Sequence, residues 1–250
     1  MSIRELSGTT AIVTGASRGF GRATAISLTE LGAHVVGVAR SGGQLDELRE
    51  QLGEVFTPVV DDVADPSLPA QLFSVYRPQT LVLNAGATPK AGTLQEQTWE
   101  TFSTNWNVDV QHVFNFTREA LRTPLDPGSV VVGLSSGAAL RGSPMSGGYA
   151  GAKATIRFIS SYAGSEAQRN GSNIRFVAVL PQLTPATDLG RIYAETYATQ
   201  AGMSVGQFLE QGFGGELSVD QAGKSISDLA ADDSYADPAY LLTPGGLQPC

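Results

Sequence analysis

Uniformly apolar runs of four to seven residues recur along the chain at 10–13, 34–39, 55–60, 80–83, 129–134, 174–180 and 239–242. Most are rich in Val and Ile, show no polar alternation and stop at Gly, Asp, Asn or Pro. A strand covered on both faces has no polar side to present, so such runs point to a parallel sheet buried between helices. Amphipathic helical stretches fill the gaps at 19–31, 44–52, 66–76, 98–122, 148–169 and 218–231. Alternating strands and helices predict an α/β fold: a three-layer, doubly wound parallel sheet of about seven strands with helices on both faces.

The 250 residues carry no Pro/Ser-rich or charged linker, so residues 1–250 read as one domain. Segment 186–212 interrupts the rhythm with a long helical stretch. The net charge of −8 argues against a nucleic-acid partner. Residues 186–250 hold nine acids against two bases, which reads as a solvated surface. The one cysteine is Cys250, so a disulfide framework and a cysteine-built metal site are excluded and a reducing compartment fits. The opening MSIRELSGTT lacks the apolar run of a signal peptide, and no stretch reaches the ~20 apolar residues of a membrane span. The expected location is cytoplasmic.

The first strand run leads into Thr14-Gly15-Ala16-Ser17-Arg18-Gly19-Phe20-Gly21 and then into a helical stretch. Glycines there allow a tight turn and close backbone approach, and the free N–H groups of a helix start attract a pyrophosphate. The loop, including Ser17 and Phe20, is a candidate dinucleotide site; its position between strand and helix separates it from an ordinary turn. An NAD site usually places an acid about 20 residues further on, to bind the ribose 2′-hydroxyl. Residues 31–45 contain none, and the second strand run ends in Arg40-Ser41. Arg18 and Arg40 could clamp a 2′-phosphate with charge-assisted hydrogen bonds. The expected cofactor is NADP(H) rather than NAD(H).

Tyr149 and Lys153 stand four residues apart at the head of a helix, on one face. The chain has three lysines and seven tyrosines, so fewer than ~0.1 such pairs are expected by chance. A free tyrosine titrates near ~10 and is a poor base at neutral pH; a nearby ammonium favours the phenolate. Ser136, just past the fifth strand run, could hydrogen-bond a substrate oxygen, although Ser135 beside it makes a polar loop an equally simple reading. His34 and His112 read as structural.

With these motifs assembled, the chain resembles the short-chain dehydrogenase/reductase family. The matching features, in family order over about residues 7–185, are Thr14-Gly15-x-x-x-Gly19-x-Gly21, Asp62-Val63, Asn84-Ala85-Gly86, Ser136, Tyr149-x-x-x-Lys153 and Pro181. The resemblance implies a Rossmann-type sheet with NAD(P) at the strand C-terminal ends. It also implies that Lys153 contacts the nicotinamide ribose while tuning Tyr149. By the same resemblance Asp62 and Val63 flank the adenine, and Asn84, Ala85 and Gly86 line the cofactor cleft. A homotetramer or homodimer packed through 98–122 and 148–169 is implied as well.

Three places depart from the family pattern. Asp109 stands where the family usually has a catalytic asparagine, five residues before Phe114. The usual Pro-Gly after the sixth strand run is Pro181-Gln182, followed by Leu183 and Thr184, so a side chain stands where the nicotinamide needs clearance. The end 240–246 lacks the frequent acid-Gly-Gly. In the family the stretch after strand six covers the substrate; here that is 186–212, with Leu189, Ile192, Tyr193, Tyr197, Met203, Phe208 and Leu209 as candidates. Their helical spacing fits core packing as well as a pocket, and the local chemistry leans toward a neutral, partly apolar carbonyl or alcohol. The expected activity is hydride transfer between NADP and such a substrate. The alternative, motivated by Asp109 and Gln182, is a cofactor-binding or sensing protein with weak or no chemistry. A non-redox lyase on this fold is disfavoured, because lyases that resemble the family replace the lysine and degrade the glycine loop.

Overall fold

The computed structural model describes residues 6–250. Residues 1–5, part of the opening read as free of a leader and part of the 1–250 domain, lie outside the described residues. Eight strands form one sheet: β1 (Thr10–Thr14), β2 (His34–Ala39), β3 (Phe56–Val60), β4 (Thr80–Leu83), β5 (Val130–Leu134), β6 (Arg175–Pro181), β7 (Ala239–Thr243) and β8 (Gly246–Pro249). Their order is β3-β2-β1-β4-β5-β6-β7-β8. All neighbours are parallel except β7 and β8. The helices are α1 (Gly19–Glu30), α2 (Gly42–Leu52), α3 (Leu68–Tyr76), α4 (Trp99–Asn105), α5 (Gln111–Arg122), α6 (Ala138–Arg141), α7 (Gly147–Asn170), α8 (Asp188–Gln200), α9 (Val205–Phe213) and α10 (Val219–Ala231).

Alternate strand residues point to opposite faces, and both faces are covered. Ala11 and Val13 of β1 join a core with Leu28 of α1, Leu45 and Leu48 of α2, and Ile226 and Leu229 of α10. Ile12, between them, faces the other core with Phe73 of α3, Val113 and Phe116 of α5 and Ile156 of α7. That is why these strands read as apolar without alternation. α1 and α10 cross closely: a Cβ on Gly223 would lie 2.5 Å from the backbone of Ala23.

Three elements differ from the expectation. An eighth, antiparallel strand follows β7, through a turn closed by Thr243 Oγ1 donating to Gly246 O at 3.2 Å. The stretch 98–122 is not one helix: α4 and α5 are separated by a π-helical segment, Trp106–Val110. Such a widened turn re-aims side chains; here it buries Asp109 while Asn107 stays exposed. Segment 186–212 is two helices, because Ser204 and Gln207 form a capping box that starts α9 afresh.

The first crossover point lies between β1 and β4, where the order reverses. Ligands of open α/β sheets bind outside the carboxyl ends of the strands at such a point.

Candidate active site

A cleft of about 860 Å³ opens along those carboxyl ends and runs from the glycine loop to α8, a size suited to a cofactor with a small substrate. At one end, Gly15 and Gly19 adopt φ +68° and +55°, which glycine tolerates at no steric cost. The loop is tied down from beneath: Asn84 Nδ2 donates to Thr14 O at 3.0 Å and Gly15 O at 3.3 Å. Thr14 Oγ1 accepts the N–H groups of Asn84 and Ala85 at 2.9 and 3.2 Å. Gly21 does not line the cleft; a Cβ there would stand 2.2 Å from Gly15 O, so this glycine lets the loop fold onto its own helix. No side chain caps α1 and no acid sits in its first turn, which leaves its N–H groups for an anion. A glycine cradle, an uncapped helix start and a continuous cleft fit a dinucleotide.

Ser17, Arg18, Phe20, Arg40, Ser41, Asp62, Val63, Asn84, Ala85 and Gly86 all line this half of the cleft. Arg40 is exposed. Arg18 Nη1 lies 3.0 Å from Asp188 Oδ2, with both side chains about two-thirds exposed.

The other half holds Ser136, Tyr149, Lys153 and Asp109. Tyr149 and Lys153 lie on one face of the first turns of α7, and Lys153 Nζ is 5.5 Å from the Tyr149 ring centroid. Lys153 is buried; Nζ donates to Leu134 O at 3.0 Å and pairs with Asp109 Oδ2 at 3.1 Å. Burial alone would push this ammonium down, but the Asp109 carboxylate, with smaller help from Tyr149, holds it above the ordinary lysine value. Asp109 is 1% exposed. Its Oδ1 accepts the Ala87 N–H at 2.8 Å and the Asn105 amide at 3.3 Å, and the same amide donates to Ala87 O at 2.7 Å. Gly86 makes the room: a Cβ there would lie 2.7 Å from Asp109 Oδ2.

The two neighbouring serines differ. Ser135 Oγ is buried and donates to Lys153 O at 2.7 Å. Ser136 Oγ accepts the Ala138 N–H at 3.2 Å, which leaves its hydrogen free to donate into the cleft. Pro181, Gln182, Leu183 and Thr184 also line the cleft. The Gln182 amide is turned to Gly215 O at 3.1 Å, and the Thr184 hydroxyl donates to Leu217 O at 2.6 Å. Both polar ends are thus directed to the loop between α9 and α10.

Of the residues proposed in 186–212, Leu189, Tyr193 and Tyr197 line the cleft; Ile192 and Met203 are exposed and Leu209 is buried. Asn105, Ser143, Ser146 and Phe213 escaped the reading of the sequence. Asn105 is legible only once Asp109 is known to be buried, since nothing in its local spacing marks it. His112 is fully buried against Phe116. Burial foremost and the Lys153 charge next lower it to about 3, outweighing the Ala85 backbone contact, so its ring is neutral. His34 Nε2 lies 2.9 Å from Thr57 Oγ1. Among the described residues no helix is long and apolar enough to cross a membrane.

The doubly wound sheet and this cleft define a dinucleotide-dependent enzyme of the Rossmann type. The chain belongs to the short chain dehydrogenase family, whose family model matches residues 9–198. It is an NAD(P)-dependent oxidoreductase acting on CH–OH or C=O groups. Curated relatives include an L-xylulose reductase of Mesocricetus auratus, 31% identical over 188 residues, spanning 74% of this chain and 75% of that protein. A serine 3-dehydrogenase of Agrobacterium fabrum is 30% identical over 69% of this chain and 70% of its own length. Among solved structures, a 3-ketoacyl-(acyl-carrier-protein) reductase from Brucella melitensis, complexed with NADH, superposes with a TM-score of 0.80 at 22% identity. It covers 96% of this chain and 98% of its own and attests the fold.

Proposed function

We propose that this enzyme uses NADP(H) and reduces a small neutral ketone, or oxidises the matching secondary alcohol, through Ser136, Tyr149 and Lys153. The observation that carries the reading is the meeting of these three side chains in one cleft with the glycine loop. Gly15, Ser17, Gly19 and the start of α1 would hold the pyrophosphate; Asp62 and Val63 the adenine; Asn84 to Gly86 and Pro181 to Thr184 the cleft's inner wall. When bound, the nicotinamide supplies or takes up the hydride.

In reduction, Tyr149 gives its phenol proton to the substrate oxygen while Ser136 donates a hydrogen bond to the same atom. Lys153 stabilises the phenolate left behind. An ammonium has three hydrogens; Leu134 O takes one and Asp109 faces Nζ as an ion pair, which leaves a donor for the cofactor ribose and the Tyr149 side. Asp109 acts here by orienting Lys153 and balancing its charge. Oxidation runs the same steps in reverse.

Arg40, with no ion pair among the described residues, and Arg18, whose exposed pair with Asp188 is worth little, support NADP through the 2′-phosphate. L-xylulose reductase and serine 3-dehydrogenase act on small polar compounds, which supports a small substrate here. Residues 1–250 are read as one cofactor-binding domain with 186–212 as the substrate cover, working in the cytoplasm. Exposed Phe114 on α5 and Phe158 and Tyr162 on α7 support a homodimer or homotetramer, which light scattering after size exclusion tests.

The catalytic reading is tested by Tyr149→Phe in an NADPH-linked screen of ketones and alcohols: loss of turnover is expected, and an unchanged rate overturns it. The closed Lys153–Asp109 pair favours a second reading, a cofactor-binding protein with little chemistry. NADPH binding without turnover across that screen would favour it.

A further inference from the structure

The substrate end of the cleft contains a phenol that makes no well-formed hydrogen bond within the chain. Tyr193 on α8 lines the cleft and is 6% exposed; the Ser146 hydroxyl lies beside its phenol oxygen, but no hydrogen bond of good geometry joins them. Its neighbours are satisfied among themselves. Ser143 Oγ lies 2.6 Å from Ser146 Oγ and 2.5 Å from Tyr197 Oη, so one serine bridges the other serine and the second tyrosine.

The Tyr193 ring is fixed. It packs on Tyr197 at 6.0 Å, Tyr197 on Phe208 at 6.3 Å and Phe208 on Phe213 at 5.8 Å. The start of α8 is pinned as well: a Cβ on Gly190 would stand 1.8 Å from Thr184 O. The hydroxyl therefore cannot swing to water without undoing this aromatic row. Leaving a buried hydroxyl without a good partner is destabilising, and phenylalanine would have filled the same space without that cost.

Burial pushes the phenol above the ordinary tyrosine range, outweighing the Ser146 hydroxyl beside it, so Tyr193 carries its proton at neutral pH. The titratable groups that act on it are the phenols of Tyr197 and Tyr149. An uncharged donor set among the hydroxyls of Ser143, Ser146 and Tyr197 complements a neutral oxygen.

We propose that Tyr193 is a specificity residue: its hydroxyl donates to a second, neutral oxygen of the substrate, so the site prefers hydroxylated carbonyl compounds to plain ketones of the same skeleton. The proposal rests on the reading that Tyr149 and Ser136 hold the reacting oxygen. The sequence shows Tyr193 only as one member of an apolar helix face; the unpaired oxygen in the folded chain distinguishes it.

The test follows NADPH consumption with 2-hexanone and with hexanones hydroxylated one, two or three carbons from the carbonyl. At least one hydroxyketone should exceed its parent in kcat/KM by about tenfold, the value of one hydrogen bond of ~1.4 kcal/mol. Tyr193→Phe should erase that ratio, with the cofactor-free thermal midpoint unchanged or raised. A preference that survives in Tyr193→Phe, the absence of preference in every pair, or a midpoint lowered by several degrees overturns the proposal. Should no ketone turn over, the reaction reading fails and calorimetry decides the subsite. The same compounds are then titrated into enzyme holding NADP⁺. Hydroxyketone binding about tenfold weaker in Tyr193→Phe supports the subsite, and equal binding overturns it.

Discussion

Lys153 Nζ and Asp109 Oδ2 are 3.1 Å apart with both side chains buried, so the lysine beside Tyr149 is charge-balanced rather than a free cation. The widened turn Trp106–Val110 brings Asp109 inward, and Asn105 with the Ala87 N–H holds its other oxygen. Removing one partner of a buried pair leaves the other charge uncompensated. Asp109→Asn should therefore lower cofactor-free stability by about 3 kcal/mol, read as a shift in the denaturant midpoint. With the carboxylate no longer holding the Lys153 ammonium above its ordinary value, the pH at which alcohol oxidation reaches its plateau should shift from the parent's. An Asp109→Asn enzyme whose pH–rate profile superimposes on the parent's would show that the carboxylate has only a structural part.

Cofactor choice is expected to rest on two arginines with different surroundings. Arg40 is without an ion pair among the described residues, whereas Arg18 faces Asp188 at 3.0 Å. Arg40→Ala should reduce the NADPH-to-NADH ratio of kcat/KM by about tenfold, since a bidentate phosphate contact is lost. Asp188→Ala should move the ratio the other way by freeing Arg18. Steady-state kinetics with both cofactors reads both effects; a ratio unchanged in both variants would count against a 2′-phosphate site.

The strands were legible because a doubly covered sheet leaves no polar alternation, and β1, β2 and β5 show this in full. β8 was not: Gly246-Leu247-Gln248-Pro249 has no β-branched residue and exists only by pairing with β7. The break at Trp106–Val110 was invisible because the apolar periodicity runs on through it. Ser135 and Ser136 looked alike as letters, and only the pleat at the end of β5 sends one under Lys153 and the other into the cleft. Gln182 raised a steric concern; its amide is turned to Gly215 O, while the residue still lines the cleft. Local spacing reports which face a residue shares with its neighbours. Pairings such as Asp109 with Lys153 or Tyr193 with the cleft depend on chain segments brought together by the sheet.

His112 gives the fold a pH dependence of known sign. Burial, and secondarily the Lys153 charge, lower it to about 3, while in an unfolded chain histidine titrates near ~6.5. Between those values the unfolded chain binds a proton that the folded one does not, so stability falls as pH drops through the window. The slope from this group is at most about 1.4 kcal/mol per pH unit. His112→Leu should flatten the unfolding free energy against pH below about pH 6, relative to the parent, in urea titrations. Parallel slopes in the two proteins would mean that the ring finds a proton-stabilising partner.

Two glycines allow a contrast between a position that needs glycine and one that does not. A Cβ on Gly21 would lie 2.2 Å from Gly15 O and 2.4 Å from Asn84 Nδ2. These are the loop backbone and the amide that anchors it, so neither can give way without reshaping the cradle. Gly21→Ala should cost about 1–3 kcal/mol of stability through overpacking and weaken NADPH binding by about tenfold or more. Gly43 in α2 has nothing within 4 Å of its would-be Cβ and is exposed. Gly43→Ala should instead raise stability by about 0.5–1 kcal/mol, the helix preference of alanine, and leave cofactor affinity alone. Calorimetric titration of NADPH into both variants, with thermal melts, separates the two. If Gly21→Ala bound NADPH as the parent does, the loop would be compliant, and its glycines would serve the turn rather than the cofactor.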